Sequence, residues 1–448
     1  MHLLVIDMPA PNPASLVFIL GKNRKLSLAE LLSFMKTRGC RFKIADISDS
    51  FIAADNGGLL DSAIISDLGG TLKIGRIAAL MSVKDVEDAF IKGRKNAQAD
   101  IKSLLSSINV TDAIFTRPSG KYVFGVSVYR EDRRYVRSSR ILQRFIGSYF
   151  KKELELRGAR AKFMGTPRGR EPPQLTNVEV LKKGLIEKSA EVLFCIGRKN
   201  AFLSATTAVH NPFEFQKRDV ERPVQRKIFS IPPRVARIMV NLASCLPGKV
   251  LLDPFCGVGT ILQEAMLAGA QVVGIDSNAW CVEASAKNLG WLQKEYGLGT
   301  VKCRVRVGDA RSLTQEVGEG SIDCIATEPA LGPALREVPT ESYARRIISG
   351  LEPLYDGFLR EAYRALKTGG KAVFVTPYIR TRRGVFQSLD IEKKVASIGF
   401  RTILPFEDIC VDGSADDSLV KSLAGMSSLV DIAERHKIGR EIHILQKQ

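Results

Sequence analysis

The second half of the chain reads as an open, mostly parallel α/β sheet, and the half before it as an α+β region. Three observations predict this. From residue 250 onward apolar strands alternate with amphipathic helices, glycines and acids gather where those strands end, and before residue 200 short strands and helices mix without that order. At 448 residues the chain exceeds one ordinary core, so two or three domains are expected.

The alternating half begins at Ile231-Pro232-Pro233, with proline where a first helical turn tolerates it. Val235, Ile238, Met239 and Leu242 give that helix an apolar face. Val250–Asp253 is the first predicted strand and Thr260–Leu267 its helix; Gln271–Asp276 is the second strand and Ala279–Leu289 the next helix. Cys303–Val307 and Ile322–Thr327 follow as strands. A helix around Phe358–Leu366 and a turn at Thr368-Gly369-Gly370 lead to the strand Lys371–Thr376. Glu441–Leu445 reads as a final edge strand that completes the domain.

In the first half, Ser15–Leu20 is a buried strand. Ser27 reads as a helix N-cap with Glu30 completing a capping box; Leu28, Leu31, Leu32 and Met35 follow at helical spacing, and Gly39 ends the helix. Ile44–Ile47 and Phe51–Ala54 are strands, and Ile74–Met81 leads into a helix from about Ser82. Lys121–Tyr129 is a strand in which Gly125 marks a bulge or a close approach. Gly165–Pro173 reads as a mobile basic connection, Thr176-Asn177 precedes a helix, and Glu191–Ile196 is a strand. Residues 197–229, proline-punctuated from 209 on, are expected as the linker.

Composition narrows the function classes. Hydrophobic residues at 45% and charged residues at 25% are ordinary for a folded soluble protein and argue against extensive disorder. No apolar run is long enough for a bilayer, and Leu3–Ile6, cut short by Asp7, makes a poor signal peptide, so a cytoplasmic protein without membrane partners is expected. The eight cysteines lack the C-x₂-C spacing of zinc sites, and His2, His210, His436 and His443 are scattered. Neither a structural metal nor histidine catalysis is expected.

The net charge is +18, and residues 101–170 hold sixteen Lys/Arg against five Asp/Glu. Such concentration favours a polyanion partner. Arg133, Arg137, Arg140 and Arg144 recur at the steps of one helical stripe, with Arg134 beside them. A stripe of this kind suits a phosphate backbone; the alternative is a solvated helix face, although few acids are interleaved to pair with it.

The ends of the predicted parallel strands carry the site. Gly257 and Gly259 sit between the first strand and its helix, where backbone can approach a nucleotide. Asp276 ends the second strand, where a carboxylate accepts from ribose hydroxyls, and Asp309 after the third strand is placed to accept an adenine amino group.

Asp253-Pro-Phe-Cys-Gly-Val-Gly-Thr-Ile-Leu262 is similar to the first motif of S-adenosylmethionine-dependent nucleic-acid N-methyltransferases. Arg218-Asp219, Arg222-Pro223, Ile231–Ala236 and Met239–Leu242 resemble the lead-in of the THUMP-containing enzymes that methylate N2 of guanosine ten in tRNA. Phe18–Asn23, Leu26–Glu30 and the Lys121–Tyr129 strand fit that family more loosely. The resemblance implies a Rossmann-like class I methyltransferase domain at 230–448, with a mostly parallel seven-stranded sheet. Before it would come a ferredoxin-like unit at 1–65 and a THUMP-like RNA-binding domain at 66–196. It also implies S-adenosylmethionine held by Asp253, Phe255, Cys256, Gly257, Gly259, Thr260, Asp276, Ser277, Asp309 and Ala310. tRNA or another structured RNA would lie against Arg133, Arg134, Arg137, Arg140, Arg144, Lys162, Arg168 and Arg170. The need for a small activating partner protein stays open.

One motif departs from the family. Where the family reads Asp-Pro-Pro-Tyr-Gly, this chain has Glu328-Pro329-Ala330-Leu331-Gly332. An exocyclic amine conjugated with a purine is a poor nucleophile, so side-chain and backbone acceptors must turn its lone pair toward the methyl donor, and positioning supplies most of the rate. Glu328 keeps the acceptor with one more methylene, Pro329 is retained, and Leu331 replaces the stacking ring. Stacking on a base is worth about 1–3 kcal/mol. Tyr378 is a candidate replacement, with simple packing as the blander role. Three possibilities result: a tRNA guanosine-10 N2-methyltransferase, an enzyme of the same fold on another RNA or DNA base, or a tRNA-binding protein with weak or no activity.

Overall fold

The computed structural model describes residues 15–40, 42–55, 62–107, 110–115, 120–130, 136–167, 169–187, 190–226, 230–407, 409 and 418–448, with backbone only for Ser107, Val136, Arg137 and Ser418. The expectations for Leu3–Ile6 and Cys410 lie outside these residues.

The first half forms one sheet. Its strands are β1 (Ser15–Leu20), β2 (Lys43–Ile47), β3 (Phe51–Asp55), β4 (Thr71–Ser82), β5 (Lys121–Arg130), β6 (Arg160–Met164), β7 (Glu191–Ile196) and β8 (Asn200–Val209), in the order β2-β3-β1-β4-β8-β7-β5-β6. The β1–β4 pairing runs across the boundary expected at residue 65, so the sheet is continuous there. β8 corrects the expected linker, since these ten residues pair with both β4 and β7. Both faces of β8 are covered, so Ser204 and Thr206 are buried like their apolar neighbours, and the strand shows no polar–apolar alternation to read. After β8 comes an ordered helix, Pro212–Val220, capped by Asn211.

The helix Arg24–Thr37 starts earlier than expected because Asn23 is its cap, accepting from the Leu26 amide. Ser27 therefore lies inside the helix and Glu30 is free for another task. Its fully buried carboxylate accepts from the amides of Gly69 and Gly70 and from the Asn241 side chain, each at 2.7 Å. Asn241 belongs to the helix Pro233–Leu242, so this carboxylate joins the two halves of the chain. Leu28, Leu31, Ile238, Leu242 and Ile444 share one core there. The Gly165–Pro173 connection is tied down: Arg140 donates to the carbonyls of Pro167 and Arg170 and to Glu171. Gly125 marks a close approach, because a Cβ there would meet Leu175 at 2.4 Å.

The second sheet contains β9 (Val250–Asp253), β10 (Gln271–Asp276), β11 (Cys303–Val307), β12 (Ile322–Thr327), β13 (Leu366–Arg380), β14 (Phe386–Gln387), β15 (Phe400–Thr402), β16 (Ser428–Asp431) and β17 (Ile438–Lys447). Its main path is β11-β10-β9-β12-β13-β17-β15, parallel from β11 to β13, with β14 and β16 added at the side. Seven strands were expected and seven form this path, but the whole sheet has nine, five of them in the parallel run. β17 is not its edge: it pairs antiparallel with β13 on one side and with β15 and β16 on the other. The predicted turn at Gly369 (φ +78°) falls within β13, where the pairing with β12 shifts register. The preceding helix is longer than expected, Glu341–Ala365, capped by Thr340. Among the described residues no helix is long and apolar enough to cross a membrane.

Candidate active site

Parallel β9, β10, β11 and β12 deliver Asp253, Asp276, Asp309 and Glu328 to one edge of the sheet, as open α/β sheets do with their ligand-binding groups. Between β9 and the helix Thr260–Leu267 the chain makes a tight loop. Gly259 has φ +86°, and a Cβ on it would lie 2.5 Å from Ser285 Oγ, so only glycine lets this loop dock on the helix Ala279–Glu295. Gly257, at φ +53°, faces open space where a Cβ would stand. Asp276 holds the loop in place: its Oδ2 accepts from the Gly257 amide and its Oδ1 from the Asn278 amide, both at 2.9 Å.

Asp253 is 1% exposed, and its Oδ1 accepts from Thr327 Oγ1 at 2.6 Å and from the Phe255 amide at 3.2 Å. Burial raises its carboxyl to about 7; the Thr327 and Phe255 bonds pull down, and the charges of Asp276 and Glu328 push further up. Asp253, Phe255, Cys256, Gly257, Val258, Thr260 and Glu328 line one pocket with Ser230 and Ile231. Its enclosed space is about 50 Å³, room for a small polar group and not for a nucleoside. Cys256 is buried and its thiol is pushed up by burial. Ala310 is buried at the start of a short turn, and Ser277 is exposed. Arg311 donates to both oxygens of Asp309, the shortest contact being 2.6 Å.

The Glu328–Gly332 segment leaves β12 at this pocket. Glu328 is bound by Arg440 of β17, Nε to Oε2 at 2.8 Å and Nη2 to Oε1 at 3.2 Å. No local signal announces that pairing, because the two residues are 112 positions apart. Pro329 is buried and Leu331 is half-buried against the core. Tyr355, itself buried, donates toward the carbonyls of Ala330 and Val375 and so fastens the segment to β13. Tyr378 is stacked on Phe386 at 4.4 Å between centroids, which is the packing role.

Residues of the expected linker reach the site: Arg226 lines the pocket, and Arg222 touches it through Thr260 and Ser230, with Arg218 packed one turn before it. Arg222, 3% exposed, donates to Thr260 Oγ1 at 2.6 Å and Ser230 Oγ at 3.1 Å. Arg218 pairs with buried Glu264 at 2.6 Å. Their Arg-x-x-x-Arg spacing was the available signal; its target could not be read from it.

The basic region divides. Arg133, Arg134, Arg168 and the Arg137 side chain lie outside the described residues. Arg140 is spent on the 167–171 backbone and Glu171, and Arg170 pairs with Glu179 at 2.7 Å, so neither guanidinium is presented freely. Arg144 and Lys162 are exposed. Lys162 shares a groove of about 390 Å³ with Lys121 and Lys183, none of them in an ion pair among the described residues. The two added lysines come from β5 and from just after the helix Asn177–Lys182, segments that only the fold brings beside β6.

Residues 222–403 match the family described as RMKL-like, methyltransferase domain. The tRNA (guanine(10)-N2)-dimethyltransferase of Methanothermobacter thermautotrophicus is 36% identical over 160 residues, 35% of this chain and 42% of that protein. Its namesake from Pyrococcus abyssi is 32% identical over 190 residues, 42% of this chain and 49% of the relative. The tRNA (guanine(6)-N2)-methyltransferase of Thermus thermophilus is 33% identical over 164 residues, 35% and 44% respectively. The aligned part thus spans less than half the length of each of these relatives. The crystal structure of TrmN from Thermus thermophilus superimposes with a TM-score of 0.52 over 97% of this chain and 100% of that one, at 15% identity, a likeness of fold. On these matches, residues 222–403 form a methyltransferase domain similar to those of the tRNA guanine-N2-methyltransferases.

Proposed function

We propose that the chain transfers a methyl group from S-adenosylmethionine to the exocyclic N2 amine of a guanosine in tRNA, with guanosine 10 as the target. The observation that carries this reading is that the Asp253–Gly259 loop and Glu328 line a single pocket. A methyl donor on the loop would lie beside the group that holds the amine.

The residues present fit that cofactor. Space is open in front of Gly257, and Asp276 keeps a second lone pair on each oxygen for ribose hydroxyls. Asp253 Oδ1 is occupied, which leaves Oδ2 for an ammonium. When bound, the cofactor supplies a methyl group on a positively charged sulfur. Glu328 and the Pro329 carbonyl accept from the amine and direct its lone pair; nitrogen gains the bond to carbon, the carbon–sulfur bond breaks, and the surplus proton leaves to solvent. Arg440 holds the Glu328 carboxylate in place by donating to both of its oxygens. With Leu331 in place of a ring, orientation rests on hydrogen bonds more than on stacking.

The lysine groove supports an RNA partner, gripped by the THUMP-like first half. Labelled S-adenosylmethionine, unmodified tRNA and nucleoside analysis test the reading. N2-methylguanosine is expected; a different methylated nucleoside moves the target, and none at all sinks the activity. The Glu328–Arg440 pair favours one second reading, a tRNA-binding protein of low turnover, in which Glu328→Ala leaves tRNA and cofactor binding unchanged and no rate to lose.

A further inference from the structure

We infer that Arg222 is a positioning residue for the cofactor's amino-acid end, building a carboxylate-binding corner through the hydroxyls of Thr260 and Ser230. This rests on reading the Asp253–Gly259 pocket as an S-adenosylmethionine site.

Charge gives the first indication. Arg222 is buried, yet its two hydrogen-bond acceptors are hydroxyls; Asp219 approaches only to 3.6 Å and is half-exposed. The buried carboxylate nearby, Glu264, is already shared by Arg218 at 2.6 Å and Arg237 at 3.0 Å. Glu264 is thus taken by Arg218 and Arg237, the one charged group paired with Arg222 among the described residues is Asp219, and Arg222 Nε has no partner among them. A buried cation without a full counter-charge is costly, and an anionic ligand would offset that cost.

The hydroxyls give the direction. An oxygen that accepts from a guanidinium turns its own proton elsewhere. Thr260 Oγ1 and Ser230 Oγ are 3.5 Å apart, so at most one donates to the other, and both residues line the pocket. The helix Thr260–Leu267 begins at Gly259 with no side-chain cap, which leaves its first amides as further donors toward the same corner. Asp253 lines the pocket as an acceptor. Hydroxyl donors, the Arg226 side chain, the carboxylates of Asp253 and Glu328 and about 50 Å³ between them suit an α-amino acid end, with the nucleoside outside.

The test compares two ligands on the full chain by calorimetry. S-adenosylhomocysteine carries the amino-acid end; 5′-methylthioadenosine has the same nucleoside thioether without it. Arg222→Met should weaken S-adenosylhomocysteine about 10- to 100-fold, the range for lost hydrogen bonds to a charged group, and leave 5′-methylthioadenosine within about twofold. Arg222→Lys should recover part of the loss. Equal loss for both ligands, or no loss for the first, overturns the inference. Binding of neither ligand to the unaltered chain overturns instead the reading of the pocket. Because Arg222 is buried, Thr260→Val with Ser230→Ala serves as a second variant, which must show the same selective loss.

Discussion

Arg440 reaches across the end of β13 and binds both carboxylate oxygens of Glu328, joining β17 to the segment that follows β12. Burial works against the Arg440 charge, but the charge and hydrogen bonds of Glu328 outweigh it and raise the group above its ordinary value. A glutamate is one methylene longer than the family's aspartate, and the guanidinium draws that length back toward the sheet. Arg440→Met should therefore lower turnover about 10- to 100-fold, as for a lost charge-assisted hydrogen bond, with the KM for tRNA within about twofold. Arg440→Lys should fall between. Initial rates with labelled S-adenosylmethionine check this; an unchanged turnover in Arg440→Met would show that the pair does not position Glu328.

Asp253 makes cofactor affinity depend on pH. Its carboxyl, raised by burial to about 7, is protonated below that value and an ionised acceptor above it. Binding of S-adenosylhomocysteine, whose ammonium needs the ionised form, should strengthen as pH rises through about 7 and weaken about tenfold per unit below it. Asp253→Asn should flatten the profile. Without ligand the sign is opposite: the folded chain binds the proton more tightly than the unfolded one, so this group costs stability as pH rises from about 4 to about 7. Calorimetric titrations across that range distinguish the variants.

Glu30 should govern the union of the two halves. Glu30→Ala leaves two amides and the Asn241 side chain without their acceptor. A loss of about 3 kcal/mol is expected, since each buried donor left unmade costs about 1–3 kcal/mol and relaxation recovers part of it. Thermal unfolding should then separate into two transitions, and Glu30→Gln should keep most of the stability. A single, unshifted transition in Glu30→Ala would refute the role.

Lys121, Lys162 and Lys183 should contribute charge to RNA binding, whereas Arg140 should contribute structure. Replacing the three lysines by alanine should reduce the slope of log affinity against log salt by about 2, close to the roughly 0.7–0.9 expected per phosphate contact. Arg140→Ala should lower the melting temperature by freeing the carbonyls of Pro167 and Arg170. Anisotropy titrations in a salt series, beside melting curves, separate the two effects.

Much of the second domain was legible in consecutive residues. β9, β10, β11 and β12 lie where their apolar residues and the acids at their ends indicated, because strand–turn–helix patterns are local. The Asp253–Gly259 loop was legible for the same reason, its glycines being needed by local backbone geometry. β8 was hidden because a strand covered on both faces loses its alternation. Glu30 imitates a capping acid because it stands three residues after a serine, although its partners lie on other elements.

Sequence alone was enough for the parallel α/β domain, its nucleotide-type loop, the divergent Glu328–Gly332 segment and the basic bias of the first half. How those parts are used came from the packing of the chain. Arg440 meets Glu328 because β17 inserts beside β13, Arg222 meets Thr260 because the connection folds back onto the loop, and Arg140 is spent on its own domain. The difference is one of range: backbone preference and periodicity act between neighbours in the chain, whereas the partner of a buried charge is set by which strands and helices pack together.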